Sequence, residues 1–294
     1  MKVNNIYYFL ALMIFFSGCE KETELSIPRP EQKLVINSIL EANRPVKVYV
    51  GLSNYALDTD SAYVRDATVT IKNGLHTTDT LDYHNTGIYS DNAINVKEDS
   101  TYTIQVEAPG FKKVEAVSKV PSTVHFSDYT FEKDAGIGRD GSKNKRITVR
   151  FNDDANKENY YMLMLEWHSL DSIDFGHYPG NNGWYSYSPV IKAEGSEYED
   201  VFSDDLFNGE SIRIPMNFST FDYKLYYDIT IELKVFIITI NESYYHYHKS
   251  LYHQELSQDN IWLSNSPPKV YTNIDGAFGV FTSVNVSDSI ILKF

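Results

Sequence analysis

Acidic and amide side chains alternate over residues 152–158, in a spacing that could bind calcium. The alternating residues are Asn152, Asp154, Asn156 and Glu158. Lys157 stands where an EF-hand loop needs its sharp-turn glycine, and no glutamate closes the loop at the required position. Asp204 and Asp205 would add oxygen ligands only if the fold brought them near. The pattern therefore favours a solvated hairpin turn, with a calcium site as the alternative.

Three histidines fall on a segment with helical periodicity, and histidine is a common ligand of transition metals. They are His246, His248 and His253. His246 and His253 are related as i and i+7, which places both on one face of a helix. No carboxylate stands at an obvious spacing for a third ligand. We therefore expect these imidazoles to fill an interface between a helix and a sheet and not to hold a metal.

The segment Gly136–Gly141, GIGRDG, fits the letters of the fingerprint that binds dinucleotides. That chemistry requires a strand before the glycines and a helix after them, so that backbone amides face a pyrophosphate. Here a polar loop leads into a strand, which predicts a hairpin loop. No His-Glu-x-x-His motif, nucleophile elbow or P-loop occurs. We therefore predict no catalytic residues, no cofactor and no enzyme activity, unless a site is assembled only in space.

Aromatic side chains are the remaining candidates for ligand contact. Three of them end the glycine-rich stretch 180–187, and binding residues concentrate on exposed loops. They are Trp184, Tyr185 and Tyr187. Such rings could stack on sugar rings or on peptide side chains, but burial in a core is the alternative. The same two interpretations apply to Trp167 and Trp262.

Cys19 is the only cysteine of the 294 residues. It follows Lys2, an apolar run from Ile6 to Phe16 and the small pair Ser17-Gly18, which is the pattern of a secretory signal peptide. The run of about eleven residues is shorter than the roughly twenty that a membrane-spanning helix needs. Phe-Ser-Gly before the cysteine resembles the motif read by bacterial lipoprotein signal peptidase. We predict a signal peptide at residues 1–18 and a diacylglycerol on Cys19.

Lipid on the sole cysteine excludes an intrachain disulfide, a thiol nucleophile and a cysteine-ligated zinc site in the mature chain. Residues 19–32 carry charges, Pro28 and Pro30 but no hydrophobic periodicity, so they predict a flexible tether from the membrane lipid to the fold. Within this tether, the acidic stretch 20–24 resembles an export tag for the cell surface. A plain solvated linker is the alternative.

The net charge of −14 comes from 40 acidic and 26 basic residues. This charge repels phosphate backbones, and the sequence shows no basic patch that would attract them. Nucleic acid is therefore excluded as an expected partner.

Short runs of β-branched and aromatic residues, separated by turn residues, predict an all-β fold. The runs in residues 33–121 follow the order of immunoglobulin-like or transthyretin-like sandwiches. Residues 122–294 predict a larger β domain with one or two helices, of which the convincing one is Glu242–Leu256. The apolar run Ile229–Ile240 alternates imperfectly, which predicts a strand buried on both faces at one end.

Four motifs occur in a characteristic order behind the predicted signal peptide. They are Lys33–Asn37, Phe151–Tyr161, Phe202–Gly209 and Pro268–Phe281. In this order they resemble segments of the Bacteroidetes lipoproteins grouped as domain of unknown function 4249, with Asp275 standing where a glycine is commoner. That family has no established catalytic residues. The resemblance implies a lipoprotein of the outer membrane or cell surface, often expected beside a TonB-dependent receptor in uptake systems.

These features together predict a non-catalytic binding subunit, accessory to a TonB-dependent receptor in nutrient uptake. The alternative is a structural or adhesion lipoprotein that binds extracellular polymers or proteins. A hydrolase would require a deep pocket in which carboxylates or histidines converge.

Overall fold

The computed structural model describes residues 31–54, 62–74, 78–138, 141–169, 184–195, 200–219, 231–259 and 268–293. The predicted signal peptide, Cys19 and its lipid, most of the predicted tether, and Trp262 lie outside these residues.

Seventeen strands and two helices make up the described part of the chain, which confirms the predicted mainly β class. The strands are β1 (Leu34–Glu41), β2 (Pro45–Leu52), β3 (Thr68–Asn73), β4 (Thr78–Thr80), β5 (Asp82–Tyr83), β6 (Ile88–Asn95), β7 (Thr101–Glu107), β8 (Val114–Lys119), β9 (Phe126–Glu132), β10 (Asn144–Asn152), β11 (Tyr160–Ser169), β12 (Trp184–Tyr185), β13 (Val201–Ser203), β14 (Ser211–Ser219), β15 (Ile231–Ile240), β16 (Phe278–Val286) and β17 (Ile290–Lys293). The helices are α1 (Pro189–Ala193) and α2 (Glu242–Asp259). Neither of these described helices combines the length and the apolar character that crossing a membrane requires.

The N-terminal strands form a sandwich of two sheets. One sheet has the order β4-β3-β7-β8, and the other is the β1-β2-β6-β5 end of a nine-stranded sheet. Residues of β8 alternate strictly between buried and exposed, as expected for a strand with one face on a core. Val48, Ile71 and Ile104 are among the side chains that fill the space between the two sheets. The predicted sandwich is therefore present.

A second pair of layers forms in the C-terminal half. The sheet β12-β14-β10-β9 packs on β11, β15 and β17 of the nine-stranded sheet. Aromatic rings fill much of this core: Phe151 lies 5.0 Å from the ring of Tyr161, and Trp167 meets Phe218 edge-on at 5.6 Å. The high tyrosine and phenylalanine content thus serves core packing in large part.

Strand β15 is buried on both faces at its C-terminal end, as its imperfect alternation predicted. Residues 237–240 are all nearly inaccessible to solvent. On one face β15 joins the second core, and on the other Ile238 and Ile240 meet Tyr244 and Tyr245 of α2. The helix begins at the predicted residue 242 and continues to residue 259.

Asn241 caps α2 at its N-terminus. Its side-chain Oδ1 accepts a hydrogen bond from the backbone N of Tyr244 at 3.0 Å, the geometry of an N-cap. The Nδ2 of Asn241 donates to the hydroxyls of Ser118 at 2.9 Å and Ser283 at 3.1 Å. One amide side chain therefore starts the helix and also links β8 to β16.

The first and the next-to-last strands of the chain lie side by side in parallel. Strands β1 and β16 pair from Val35 opposite Phe278 to Glu41 opposite Val284. Gly279 has a φ of +92°, and a Cβ at this position would overlap the carbonyl oxygen of Ile36. Glycine is required here because it alone tolerates both the dihedral angle and the close approach.

Polar side chains close the edge of β8 where no further strand pairs with it. Ser118 Oγ donates to Ser283 Oγ at 2.9 Å, and Ser283 Oγ donates to the carbonyl oxygen of Lys119 at 2.7 Å. Asn285 Nδ2 donates to the carbonyl oxygen of Pro121 at 2.9 Å. Side chains of β16 thus cover edge groups of β8 that would otherwise be open to another chain.

The predicted boundary at residue 121 falls between two hydrophobic clusters. The first cluster contains residues 34–120 but also Ile274, Ala277 and Phe281 near the C-terminus, and the second contains residues from 147 to 292. Residues Gln32–Phe294 form one compact unit. The division into two domains stays a prediction, since the C-terminal segment contributes to both cores.

We expect Gly279→Ala to lower the free energy of unfolding by about 3–5 kcal/mol, because the new methyl group overlaps β1 and the positive φ strains any side chain. The matched control is Gly110→Ala, at a φ of +82° with nothing within 4 Å of its Cβ. There only backbone strain of about 1–2 kcal/mol is expected. Urea unfolding measures both variants, and equal losses would contradict the tight β1–β16 junction.

Candidate functional site

The turn between β10 and β11 and the turn after β13 are joined by one carboxylate. Asp153 Oδ2 accepts a hydrogen bond from the backbone N of Gly209 at 2.7 Å, and its Oδ1 accepts one from Asn159 Nδ2 at 3.0 Å. The hydroxyl of Tyr161 donates to the same Oδ1. Burial, followed by this hydrogen bond, raises the pKa of Tyr161 and keeps it a donor.

Asn159 provides a second link between the two turns. Its backbone N donates to Asp204 Oδ2 at 2.9 Å, and its Nδ2 donates to the carbonyl oxygen of Asp154 at 2.9 Å. Burial raises the pKa of Asp204, although the backbone N–H of Asn159 opposes that effect. At Gly209, with a φ of +77°, a Cβ would lie 2.6 Å from that of Ala155. The two turns therefore fit together as one unit with little tolerance for added atoms.

The linker between β8 and β9 is held by the acidic pair that precedes β7. Glu98 accepts hydrogen bonds from the backbone N of Thr123 at 3.0 Å and from its hydroxyl at 2.9 Å. Asp99 accepts one from Ser122 Oγ at 2.7 Å, and Lys157 Nζ donates to that Oγ at 2.9 Å. Partial burial raises the pKa of Glu98, but hydrogen bonds, led by those from Thr123, bring it below its ordinary value.

A cavity of about 330 Å³ lies where this linker meets the β10–β11 turn. Its lining consists of Ser122, Thr123, Val124, His125, Asn152, Asp153, Asp154, Lys157 and Asn159. The side chains of Asp154 and Lys157 are 47% and 41% exposed, so the cavity opens to solvent on their side. Hydroxyl, amide, ammonium and carboxylate groups on one wall can hydrogen-bond a polar ligand through both donors and acceptors.

The alternating residues of this turn do not assemble as a calcium cage. Asp154 Oδ1 accepts hydrogen bonds from the backbone N of Asn156 at 3.1 Å and from its Nδ2 at 2.7 Å, which lowers the pKa of Asp154. Its Oδ2 lies 3.7 Å from Lys157 Nζ. In the part of the chain that the structure describes, no three or more His, Cys, Asp or Glu side chains are arranged to hold a metal ion. The favoured interpretation, a hairpin turn, is confirmed.

The helix histidines form separate pairs with carboxylates. His246 Nε2 lies 3.6 Å from Glu242 Oε1, while His248 Nε2 lies 3.4 Å from Asp200 Oδ1. His253 belongs to neither pair. Burial raises the pKa of Asp200, and the nearby imidazole of His248 opposes that shift. The partner of His248 could not be inferred from sequence, because it lies on another element.

Glu194, which follows α1, anchors α2 through a buried ion pair. Its Oε2 accepts a hydrogen bond from the hydroxyl of Tyr245, 51 residues away, at 2.5 Å and lies 3.5 Å from Lys249 Nζ. Its Oε1 accepts one from the backbone N of Ser203 at 2.9 Å. The side chains of Glu194 and Lys249 are only 9% and 15% exposed, so each depends on the other for charge compensation. Sequence reasoning missed this cluster, which no local spacing reveals.

The three candidate ligand-contact aromatics are divided between core and surface. Trp184 is 2% exposed and packs in the second core, so a ligand contact is not supported for it. The Tyr185 hydroxyl accepts a hydrogen bond from Asn144 Nδ2 at 2.6 Å. Tyr187 is 44% exposed, contacts the Tyr185 ring edge-on, and has Lys192 Nζ 5.1 Å from its ring centroid. A ligand contact by Tyr185 and Tyr187 stays a prediction.

The glycine-rich segment 136–141 lies at the tip of the β9–β10 hairpin. Gly138 N donates to the carbonyl oxygen of Ser142 at 2.8 Å, and Ile137 pairs with Lys143. Strands flank the segment on both sides, so the predicted hairpin loop is confirmed; residues 139 and 140 lie outside the described part.

Comparisons with known proteins identify a family but no described activity. A family model with the description "Domain of unknown function (DUF4249)" matches residues 20–290. No curated protein matches the chain significantly. Among solved structures, Escherichia coli alpha-2-macroglobulin activated by porcine elastase aligns with 71% of this chain at 10% identity and a TM-score of 0.22. The chain spans about a fifth (20%) of that structure's length, and a likeness at this TM-score carries no functional argument.

We expect Asp204→Asn to remove part of the pH dependence of stability. Because the pKa of Asp204 is raised on folding, the folded chain binds this proton more tightly, and its contribution to the free energy of unfolding falls as pH rises from about 4. Between about pH 4.5 and 7, urea unfolding should therefore give a less negative slope for the variant. The exposed neighbour supplies the control, Asp205→Asn, which should keep the wild-type slope. Identical slopes for all three proteins would contradict the assignment.

Proposed function

The chain belongs to the family described as domain of unknown function DUF4249, and on this premise we propose that it is a lipid-anchored, non-catalytic binding subunit of the outer membrane. It works beside a TonB-dependent receptor in nutrient uptake and contributes a binding surface to the pair.

The position of the family match carries the proposal. The match starts at residue 20, directly after Cys19, as expected if Cys19 becomes the lipidated first residue of the mature chain. The described strands start at Leu34. The residues between could span at most roughly 45 Å when extended, which lets the folded body reach a neighbouring protein in the same membrane.

The use of the acidic groups supports binding over catalysis. Asp153, Asp204 and Glu98 accept hydrogen bonds from backbone amides and side chains that fix the two turns and the linker. A general acid or base must exchange its proton with a substrate, and a carboxylate engaged in this way is a poor candidate for that role. The polar cavity beside them can receive a ligand without chemical change.

A pull-down from native outer membranes in mild detergent tests the proposal. We expect the tagged, lipidated chain to recover a stoichiometric TonB-dependent receptor, identified by mass spectrometry. The Cys19→Ala chain is the control: it should lack acyl chains, leave the membrane fraction and recover at least tenfold less receptor, because anchoring raises the effective concentration of the partners.

Reproducible absence of a receptor from the lipidated sample would refute the uptake role. Recovery of extracellular polymers or other surface proteins in its place would favour the structural or adhesion lipoprotein. A Cys19→Ala chain that still carries lipid would refute the anchor itself.

A further inference from the structure

The outer face of the sheet β12-β14-β10-β9 carries arginines that the core does not require. Arg146 and Arg150 lie on β10, Arg213 lies on β14, and together they are three of the seven arginines in a chain of net charge −14. Ile147 and Val149 alternate with the arginines of β10 and are fully buried. The arginine side chains therefore leave the opposite, outer face of the strand.

Arg150 and Arg213 stand directly opposite each other on neighbouring antiparallel strands. Like charges in this position repel, and within the described residues neither has a carboxylate at ion-pair distance. Asp128, the residue of β9 opposite Arg150, accepts a hydrogen bond from the backbone N of Tyr129 at 2.8 Å. Arg213 is exposed, and the buried Nε of Arg150 has no acceptor in the described structure. Two adjacent guanidinium groups with unused donors match the bidentate geometry of carboxylates.

The neighbouring positions add groups that recognise hydroxyls. Arg146 Nε donates to Asn217 Oδ1 at 2.8 Å, and the Nδ2 of Asn217 donates to the carbonyl oxygen of Tyr185 at 3.3 Å. Thr148 places a hydroxyl on the outer face between the two arginines of β10. Asn152, two positions beyond Arg150 on the same face, lines the cavity described above. The face thus continues from the tyrosines at one edge to the cavity at the other.

We propose that this arginine face binds a saccharide that carries carboxylate groups. The arginine face consists of Tyr185, Asn217, Arg146, Thr148, Arg150 and Arg213. Guanidinium groups pair with carboxylates, while the threonine and asparagine side chains bond hydroxyls and the tyrosine edge can pack on a sugar ring. A peptide bound by a sheet uses an open strand edge or apolar pockets, neither of which this polar face presents. The inference rests on the proposed function only in taking this body to bind a ligand.

Calorimetric titration of the full chain in mild detergent tests the proposal, with hexagalacturonate as the probe. Maltohexaose supplies a neutral saccharide of equal length, and hexaglutamate supplies an acidic peptide. We expect binding of hexagalacturonate alone, weakened by added salt. Arg150→Gln and Arg213→Gln should each weaken it at least tenfold. The matched control is Arg44→Gln, an exposed arginine of the other sandwich, which should change the affinity less than twofold.

Thermal unfolding separates recognition from folding. Because Arg150 and Arg213 repel each other, Arg213→Gln should keep or raise Tm while binding is lost. Equal affinity for maltohexaose, tighter binding of hexaglutamate, absence of any binding, or insensitivity to both substitutions would each overturn the carboxylated saccharide as the ligand. A receptor recovered in the pull-down would leave the proposed function intact in every one of these cases, so the two failures are distinguishable.

Discussion

The parallel pairing of β1 with β16 is the constraint on which the rest of the structure depends. Asn37 and Val280, in hydrogen-bond contact across this pair, are 243 residues apart. The pair joins the sheet of the N-terminal sandwich to the strands β15 and β11, and the segment before β16 delivers Ile274 and Phe281 to the first core. Such long-range closure is entropically costly, so the N-terminal sandwich can be complete only after nearly the whole chain has been made.

Acidic residues in this chain serve mainly as acceptors that fix backbone turns. Asp153 satisfies the amide of Gly209, and Glu98 satisfies the amide of Thr123, where neither amide has a strand partner. A buried amide without an acceptor is costly, so these carboxylates determine how the loops are placed. The arginines follow a different logic: two stand opposite each other without a carboxylate in the described structure, an arrangement that stabilises nothing by itself.

Local pattern was enough to predict most elements of the fold. Alternating apolar residues located β2, β7 and β10, and helical spacing placed the start of α2 at residue 242, because each signal is contained within a single element. The sandwich of the first half followed from the order of its strands. Strand β9 was not foreseen, since most of its residues are exposed and it therefore lacks an apolar alternation.

The sequence by itself determined the β class, the single helix of substantial length, the predicted lipid attachment at Cys19 and the family motifs, since each is written in neighbouring residues. Only the tertiary structure decided that Asp153 meets Gly209, that Glu194 meets Lys249 and that Arg150 faces Arg213. It also placed Trp184 in the core, where ligand contact had been expected. The reason is that strand pairing and register join residues far apart in the chain, and no local spacing specifies which strands become neighbours.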